Sequence, residues 1–206
     1  MKNMTITYVV ENSLYINLTN RCSNRCDFCI RNNGDGAYGS DSLWLEHEPS
    51  EGEVMRALEK RDIESYDEII FCGYGEPTER LETLISVAKK LKAKHNCKIR
   101  VNTNGQSDLL YGRDTAPMFK DAVDTVSISL NAPNAEKYQR VCHSQFGTAA
   151  FGALLTFASN VKNYVPHVLL TVVDSALTAE EIAVCRQIAA DAGVTLRVRR
   201  YIGKDA

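Results

Sequence analysis

The sequence predicts an α/β fold built on parallel strands, and three observations carry that prediction. Short β-rich segments alternate with amphipathic, cappable segments from residue 14 to residue 201. About six such units follow one another, which implies parallel strands joined by right-handed crossovers. No internal repeat, linker or low-complexity stretch interrupts them, so residues 1–206 read as a single domain. About six units are too few to close a (β/α)8 barrel, leaving a partial barrel or a doubly wound sheet. In either, functional groups gather at the carboxyl ends of the strands.

Leu14–Thr19 alternates apolar and polar residues and reads as the first strand, leading straight into a cysteine-rich loop. Residues 30–49, with Gly34, Gly36 and Gly39, make an irregular surface excursion. Ser50 and Glu53 form a capping-box pattern ahead of a helix carrying Val54, Met55 and Leu58. Asp67–Cys72 is a buried strand ending in Gly73-Tyr74-Gly75-Glu76-Pro77, and a helix with Leu81, Leu84, Ile85, Ala88 and Leu91 on one face follows from about Thr78. Lys98–Thr103 is the third strand, closed by Asn104-Gly105, and a weaker helical stretch around Ala116–Ala122 precedes the fourth, Thr125–Leu130. Ala135–Val141 is compatible with a helix, and Thr148–Asn160 reads as one. The fifth strand is His167–Val173, followed by a helix with a Thr178/Glu181 capping box that stops at Gly193; Thr195–Tyr201 is the sixth.

Composition excludes several classes of function. A 206-residue chain with 44% hydrophobic and 24% charged residues and a formal net charge of −2 can bury a sizeable core and is not disordered. Its charge balance calls for neither nucleic acid nor an anionic membrane. Its apolar runs are too short to span a bilayer, and Met1–Thr5 opens no signal peptide. Seven cysteines, an odd and clustered set, point to a reducing cytoplasm rather than a disulfide framework.

The chemistry is concentrated in Cys22-Ser23-Asn24-Arg25-Cys26-Asp27-Phe28-Cys29. Three thiolates so close in sequence can converge, and soft sulfur ligands select zinc or iron–sulfur clusters. Three ligands are one short of a closed site, so one metal position is left for a substrate or cofactor. Read from the residues alone, the rival is a zinc- or cluster-binding interaction module without catalysis. Arg21, Arg25 and Arg31 flank the cysteines and suit a negatively charged centre. The two glycines of Gly73–Pro77 free its backbone for close approach to a ligand. Ser127, Ser129 and Asn131 alternate along one face of the fourth strand and its exit. Arg197 and Arg199 share a face of the sixth: turned inward the pair could hold an anionic substrate, and turned outward it makes a solvated edge, the reading taken here. Cys72, Cys97, Cys142 and Cys185 are read as packing thiols, and the four histidines show no metal spacing.

The octet resembles the Cx3CxΦC signature of the radical S-adenosylmethionine (radical SAM) enzymes, with Phe28 in the aromatic position. That resemblance implies a [4Fe–4S] cluster on Cys22, Cys26 and Cys29, with S-adenosyl-L-methionine on its open iron. It also implies a partial (β/α)6 TIM-type barrel open on one side. The activity implied is reductive cleavage of SAM to a 5′-deoxyadenosyl radical, which abstracts hydrogen from an unidentified substrate. Gly73, Tyr74, Gly75 and Glu76 look like the family's GGEP motif, which contacts the methionyl group of SAM, with Tyr74 as a departure. By the same resemblance Asn104 ends the third strand, Ser129 and Asn131 face the ribose hydroxyls, and Val172 or Val173 packs against adenine. The Asn17–Cys22 and Ser129–Pro133 segments resemble the short subgroup associated with TatD-type nucleases. An enzyme of this kind needs an external electron donor. A barrel left open between its first and sixth strands is expected to be covered by a bulky substrate, a partner protein or a second copy of the chain. The excursion at residues 30–49 is the candidate lid.

Overall fold

The computed structural model describes residues 4–200. Seven strands form one sheet, ordered in space as in the chain: β1 (Thr7–Val10), β2 (Ser13–Ile16), β3 (Glu68–Phe71), β4 (Ile99–Thr103), β5 (Thr125–Ser129), β6 (His167–Val173) and β7 (Thr195–Arg199). From β2 onward every pair is parallel. A doubly wound sheet reverses its strand order at a switch point. This sheet never reverses, so it curves one way as an open barrel, with β1 and β7 as its edges.

The six expected parallel strands are present, although Tyr201, the expected end of the last, lies outside the described residues. So do Met1, Lys2 and Asn3. The sequence reading omitted β1, which runs antiparallel to β2 through a tight turn with Glu11 at φ 52°. The opening therefore lies between β1 and β7, not between the first parallel strand and the last.

Among the described residues six helices pack outside the sheet: α1 (Glu51–Leu58), α2 (Leu81–Lys94), α3 (Ser107–Tyr111), α4 (Ala135–Cys142), α5 (Ala149–Val161) and α6 (Ala179–Asp191). Both anticipated capping boxes form, at Ser50/Glu53 and Thr178/Glu181. A 3-10 turn, Pro77–Arg80, precedes α2. The weak helical stretch near residue 116 is only a 3-10 turn, Ala116–Phe119, and α3 was not foreseen. The core lies between sheet and helices, where Ile69, Phe71, Val101, Val126, Ile128 and Leu170 meet Leu84, Ala88, Phe119 and Phe157. Fully burying one such side chain contributes about 1.5–3 kcal/mol. Side chains alternate across a strand, so the intervening Arg100, Asn102, Ser127, Ser129 and Thr171 turn into the barrel.

Candidate active site

The cysteine loop is an irregular segment held almost entirely by hydrogen bonds. Its backbone is stitched to the end of α4: Arg25 N donates to Cys142 O at 2.9 Å, Asp27 N to Val141 O at 3.0 Å, and Gln145 N to Ser23 O at 2.9 Å. Beneath it lies a buried polar network centred on Gln106. The Gln106 carbonyl oxygen accepts from Ser23 Oγ at 3.0 Å and Ser144 Oγ at 2.9 Å. Its amide donates to Asn24 Oδ1 and Tyr138 Oη, both at 2.9 Å. Asn24 Nδ2 donates to the same phenol at 2.9 Å. Sequence reasoning missed Gln106 and Tyr138, because nothing local marks a glutamine after Asn104-Gly105 as a hub.

Cys22, Cys26 and Cys29 are all half-buried free thiols facing one cavity. Burial pushes the Cys22 thiol up to about 12 and raises Cys29 as well. Cys26 is raised first by its contact with the Cys142 thiol and then by burial, so Cys142 is more than the packing thiol expected. The Arg31 guanidinium opposes these shifts at all three sulfurs. Arg21, expected to do the same, instead pairs with Glu48 at 2.6 Å and with Glu79 at 3.6 Å. Among the described residues, no three His, Cys, Asp or Glu side chains are positioned to hold a single metal ion. A tetrahedral ion needs every ligand within about 2.3 Å of one point. A four-iron cluster, with each thiolate on its own iron, has no such requirement.

The Gly73–Pro77 turn lies beside this loop and lines the cavity, and its glycines also admit a close approach by the protein's own chain. A Cβ on Gly73 would sit 2.1 Å from Asn17 Oδ1, and one on Gly75 would sit 2.2 Å from Thr19 O and 2.5 Å from Arg21 O. The close approach is thus to the chain entering the cysteine loop, reinforced by Glu76 N donating to Arg21 O at 2.8 Å. Tyr74 lines the cavity but is buried, with its hydroxyl 2.7 Å from Gly34 O and its ring edge-on to Trp44. It pins the excursion at residues 30–49, which Asn17 and Asn20 also hold at Leu43 and Leu45.

The Glu76 carboxylate is buried. Oε1 accepts from Thr78 N, Thr78 Oγ1 and Thr103 Oγ1 at 3.0, 2.7 and 2.7 Å, and Oε2 from Asn104 N at 2.7 Å. Burial raises its pKa, and these hydrogen bonds oppose the rise. Oε2, with one partner, keeps acceptor capacity, and Glu76 is among the residues lining the cavity.

The remaining predicted residues divide. Phe28 lines the cavity beside its cysteines. The Asn104 amide donates to Ser23 Oγ at 2.8 Å and its carbonyl accepts from Gln106 N at 3.0 Å, so its side chain braces the cysteine loop. Ser129 and Asn131 both face the cavity. Asn131 sits in the left-handed region at φ 56°, and its Oδ1 is buried without a partner. Val172 does not reach the cavity. It is fully buried among the core residues, while its neighbours Thr171 and Val173 line the inside, as strand alternation requires. Arg197 and Arg199, expected at a solvated edge, line the inside too. The cavity these walls enclose measures about 800 Å³.

An open parallel barrel with three thiols at the carboxyl end of its first parallel strand defines the class of protein. Residues 16–186 match the family model described as the Radical SAM superfamily, and the chain belongs to that superfamily. GTP 3′,8-cyclase of Corynebacterium glutamicum (strain R) is 31% identical across 63% of this chain and 33% of its own length. Molybdenum cofactor biosynthesis protein 1 of Dictyostelium discoideum is 31% identical across 61% of this chain and 18% of its own. The chain thus spans a third or less of these relatives. Among solved structures, Streptococcus suis SuiB bound to precursor peptide SuiA superposes with a TM-score of 0.67 at 14% identity, covering 95% of this chain and 40% of that one. A radical SAM methyltransferase from Sphaerobacter thermophilus gives 0.59 at 17% identity, covering 97% and 70%. At such identities the likeness is one of fold.

Proposed function

We propose that this protein is a radical SAM enzyme whose cluster-bearing residues are Cys22, Cys26 and Cys29. When bound, a [4Fe–4S] cluster and S-adenosyl-L-methionine supply reductive cleavage to a 5′-deoxyadenosyl radical that abstracts hydrogen from the substrate. The observation that carries the reading is a convergence. Three half-buried thiols, Glu76, Ser129 and Asn131, whose Oδ1 has no partner, line one cavity. A buried carbonyl oxygen with no donor costs free energy until one arrives, and a ribose hydroxyl is such a donor. Glu76 Oε2 suits an ammonium group, as at the methionyl end of SAM.

The chain's own residues position and shield. Gln106 and Tyr138 fix the cysteine loop, and Arg31 offsets negative charge at the sulfurs. Electrons come from an external donor. The side between β1 and β7 is covered, in this reading, by a bulky substrate, a partner protein or a second copy of the chain. GTP cyclisation, the activity named for the first relative, is a candidate reaction class only.

Anaerobic reconstitution tests the proposal. About four irons and four sulfides per chain, with SAM-dependent 5′-deoxyadenosine, are expected for one [4Fe–4S] cluster. Tight zinc and no turnover would instead establish the interaction module. Deuterated candidate metabolites then identify the substrate through label in the 5′-deoxyadenosine.

A further inference from the structure

The wall opposite the cysteines carries an arginine that nothing in the fold explains. Arg197 is level with Thr171 in the β6–β7 register and Arg199 with Val173, so both stand near the carboxyl end of β7 and face the cavity. Arg199 Nε is buried and has no hydrogen-bond partner. Among the described residues no hydrogen bond or ion pair reaches Arg197 either.

Charges on an edge strand ordinarily protect it from pairing with another chain, and they do so from water. Arg197, which is exposed, fits that role alone. A buried guanidinium nitrogen does not, because it gives up hydration without gaining an acceptor. Arg100, another guanidinium lining the cavity, shows how the fold satisfies such a group. It pairs with Glu68 at 3.3 Å and donates to Asn102 Oδ1 at 2.9 Å. Among the described residues no acidic side chain plays that part at Arg199. The groups in electrostatic reach of it, Cys72 and Tyr38, are weak acids whose pKa burial raises and the Arg199 charge opposes. Two guanidinium groups two residues apart on one strand face also repel each other until an anion sits between them.

We propose that Arg199 and Arg197 form a substrate-anchoring subsite for an oxyanion, a carboxylate or a phosphate, on the side of the cavity away from the cysteine loop. A guanidinium matches either group through paired N–H donors. Holding the substrate by a charged group that does not react leaves its reacting carbon oriented toward the opposite wall, where proximity does the work. The inference names the substrate class of the function proposed above and rests on that reading.

The test uses the reconstituted protein loaded with SAM, titrated calorimetrically with inorganic phosphate and, separately, with succinate. Saturable binding of one of the two is expected, and which one tells phosphate from carboxylate. Arg199→Met and Arg197→Met should each weaken it about tenfold or more, with SAM affinity and iron content unchanged. Arg197 is exposed, so its variant is expected to fold even where Arg199→Met does not. Equal anion affinity in wild type and Arg197→Met, or no saturable binding of either anion to the wild type, overturns the subsite. So does a loss of SAM affinity in the variants, which would assign the guanidinium groups to the carboxylate of SAM. A wild type that assembles no cluster sinks the function instead, and its anion titration still decides the subsite.

Discussion

On one side of the cavity Ser23, Asn24, Asn104, Gln106, Tyr138 and Ser144 satisfy one another's hydrogen-bonding groups, and all are buried. On the other side Arg199 Nε is equally shut off from water and has no partner. A closed network fixes geometry, because every displacement breaks several bonds at once. An unmet buried donor holds nothing in place and waits for an acceptor. The difference separates the wall that positions chemistry from the wall that recognises what the chemistry acts on. Asn131 stands between them, with its amide on Cys142 Sγ at 3.6 Å and its oxygen free.

The sharpest way to break this comparison is at the sulfurs. Changing Cys22, Cys26 or Cys29 to Ala removes an iron's only protein ligand and is expected to abolish the reconstituted cluster. Iron analysis should show Cys72→Ala, Cys97→Ala, Cys142→Ala and Cys185→Ala at wild-type content. Full occupancy in Cys26→Ala would move the cluster elsewhere, and with it the contrast between the walls.

Gln106→Leu tests the closed network with the next largest effect. It strands Ser23, Asn24, Tyr138 and Ser144, each at about 1–3 kcal/mol where the group stays buried. A loss of about 3 kcal/mol or more is expected in denaturant unfolding. A cost below about 1 kcal/mol would show that water replaces the hub without penalty.

Gly75→Ala follows. Its new methyl group meets backbone carbonyls of Thr19 and Arg21, which cannot swing aside like a side chain. Overpacking of this kind costs about 1–3 kcal/mol. Because the displaced segment leads to Cys22, lower iron retention should accompany it. A SAM-binding defect with normal stability and iron would restore the simpler view that Gly75 is there for the ligand.

The smallest effects belong to the ligand-facing hydrogen bonds. Ser129→Ala and Asn131→Ala are expected to weaken SAM binding by about 0.5–1.5 kcal/mol each, roughly twofold to thirteenfold. Unchanged affinity in the double variant would remove both residues from the site and leave the Asn131 oxygen unexplained.

Much of this was legible in the chain because it is local. Capping boxes, alternation, strand-ending glycines and cysteine spacing concern residues within a few positions of one another. The six parallel strands, both capping boxes and the cavity-lining Cys22, Cys26, Cys29, Ser129 and Asn131 came from such signals, and Phe28 from the family resemblance. β1 was missed although Thr7–Val10 is β-rich, because its pairing with β2 turns on Glu11 taking a positive φ that its residue type does not advertise.

What the sequence by itself determined, then, is which segments are strands and helices and which thiols share a loop. Only the tertiary structure decided which neighbour in each strand faces the cavity, and so put Val173 there rather than Val172. It also decided that Gln106 would meet side chains from residues 23 and 24 and from 138 and 144, and that Arg199 would lie half-buried on the inner face, its Nε shut off from water, instead of solvated at an edge. The physical reason is range. Capping and alternation depend on contacts along the chain, whereas the face a side chain presents depends on how the sheet curves and on where strands distant in sequence come to lie.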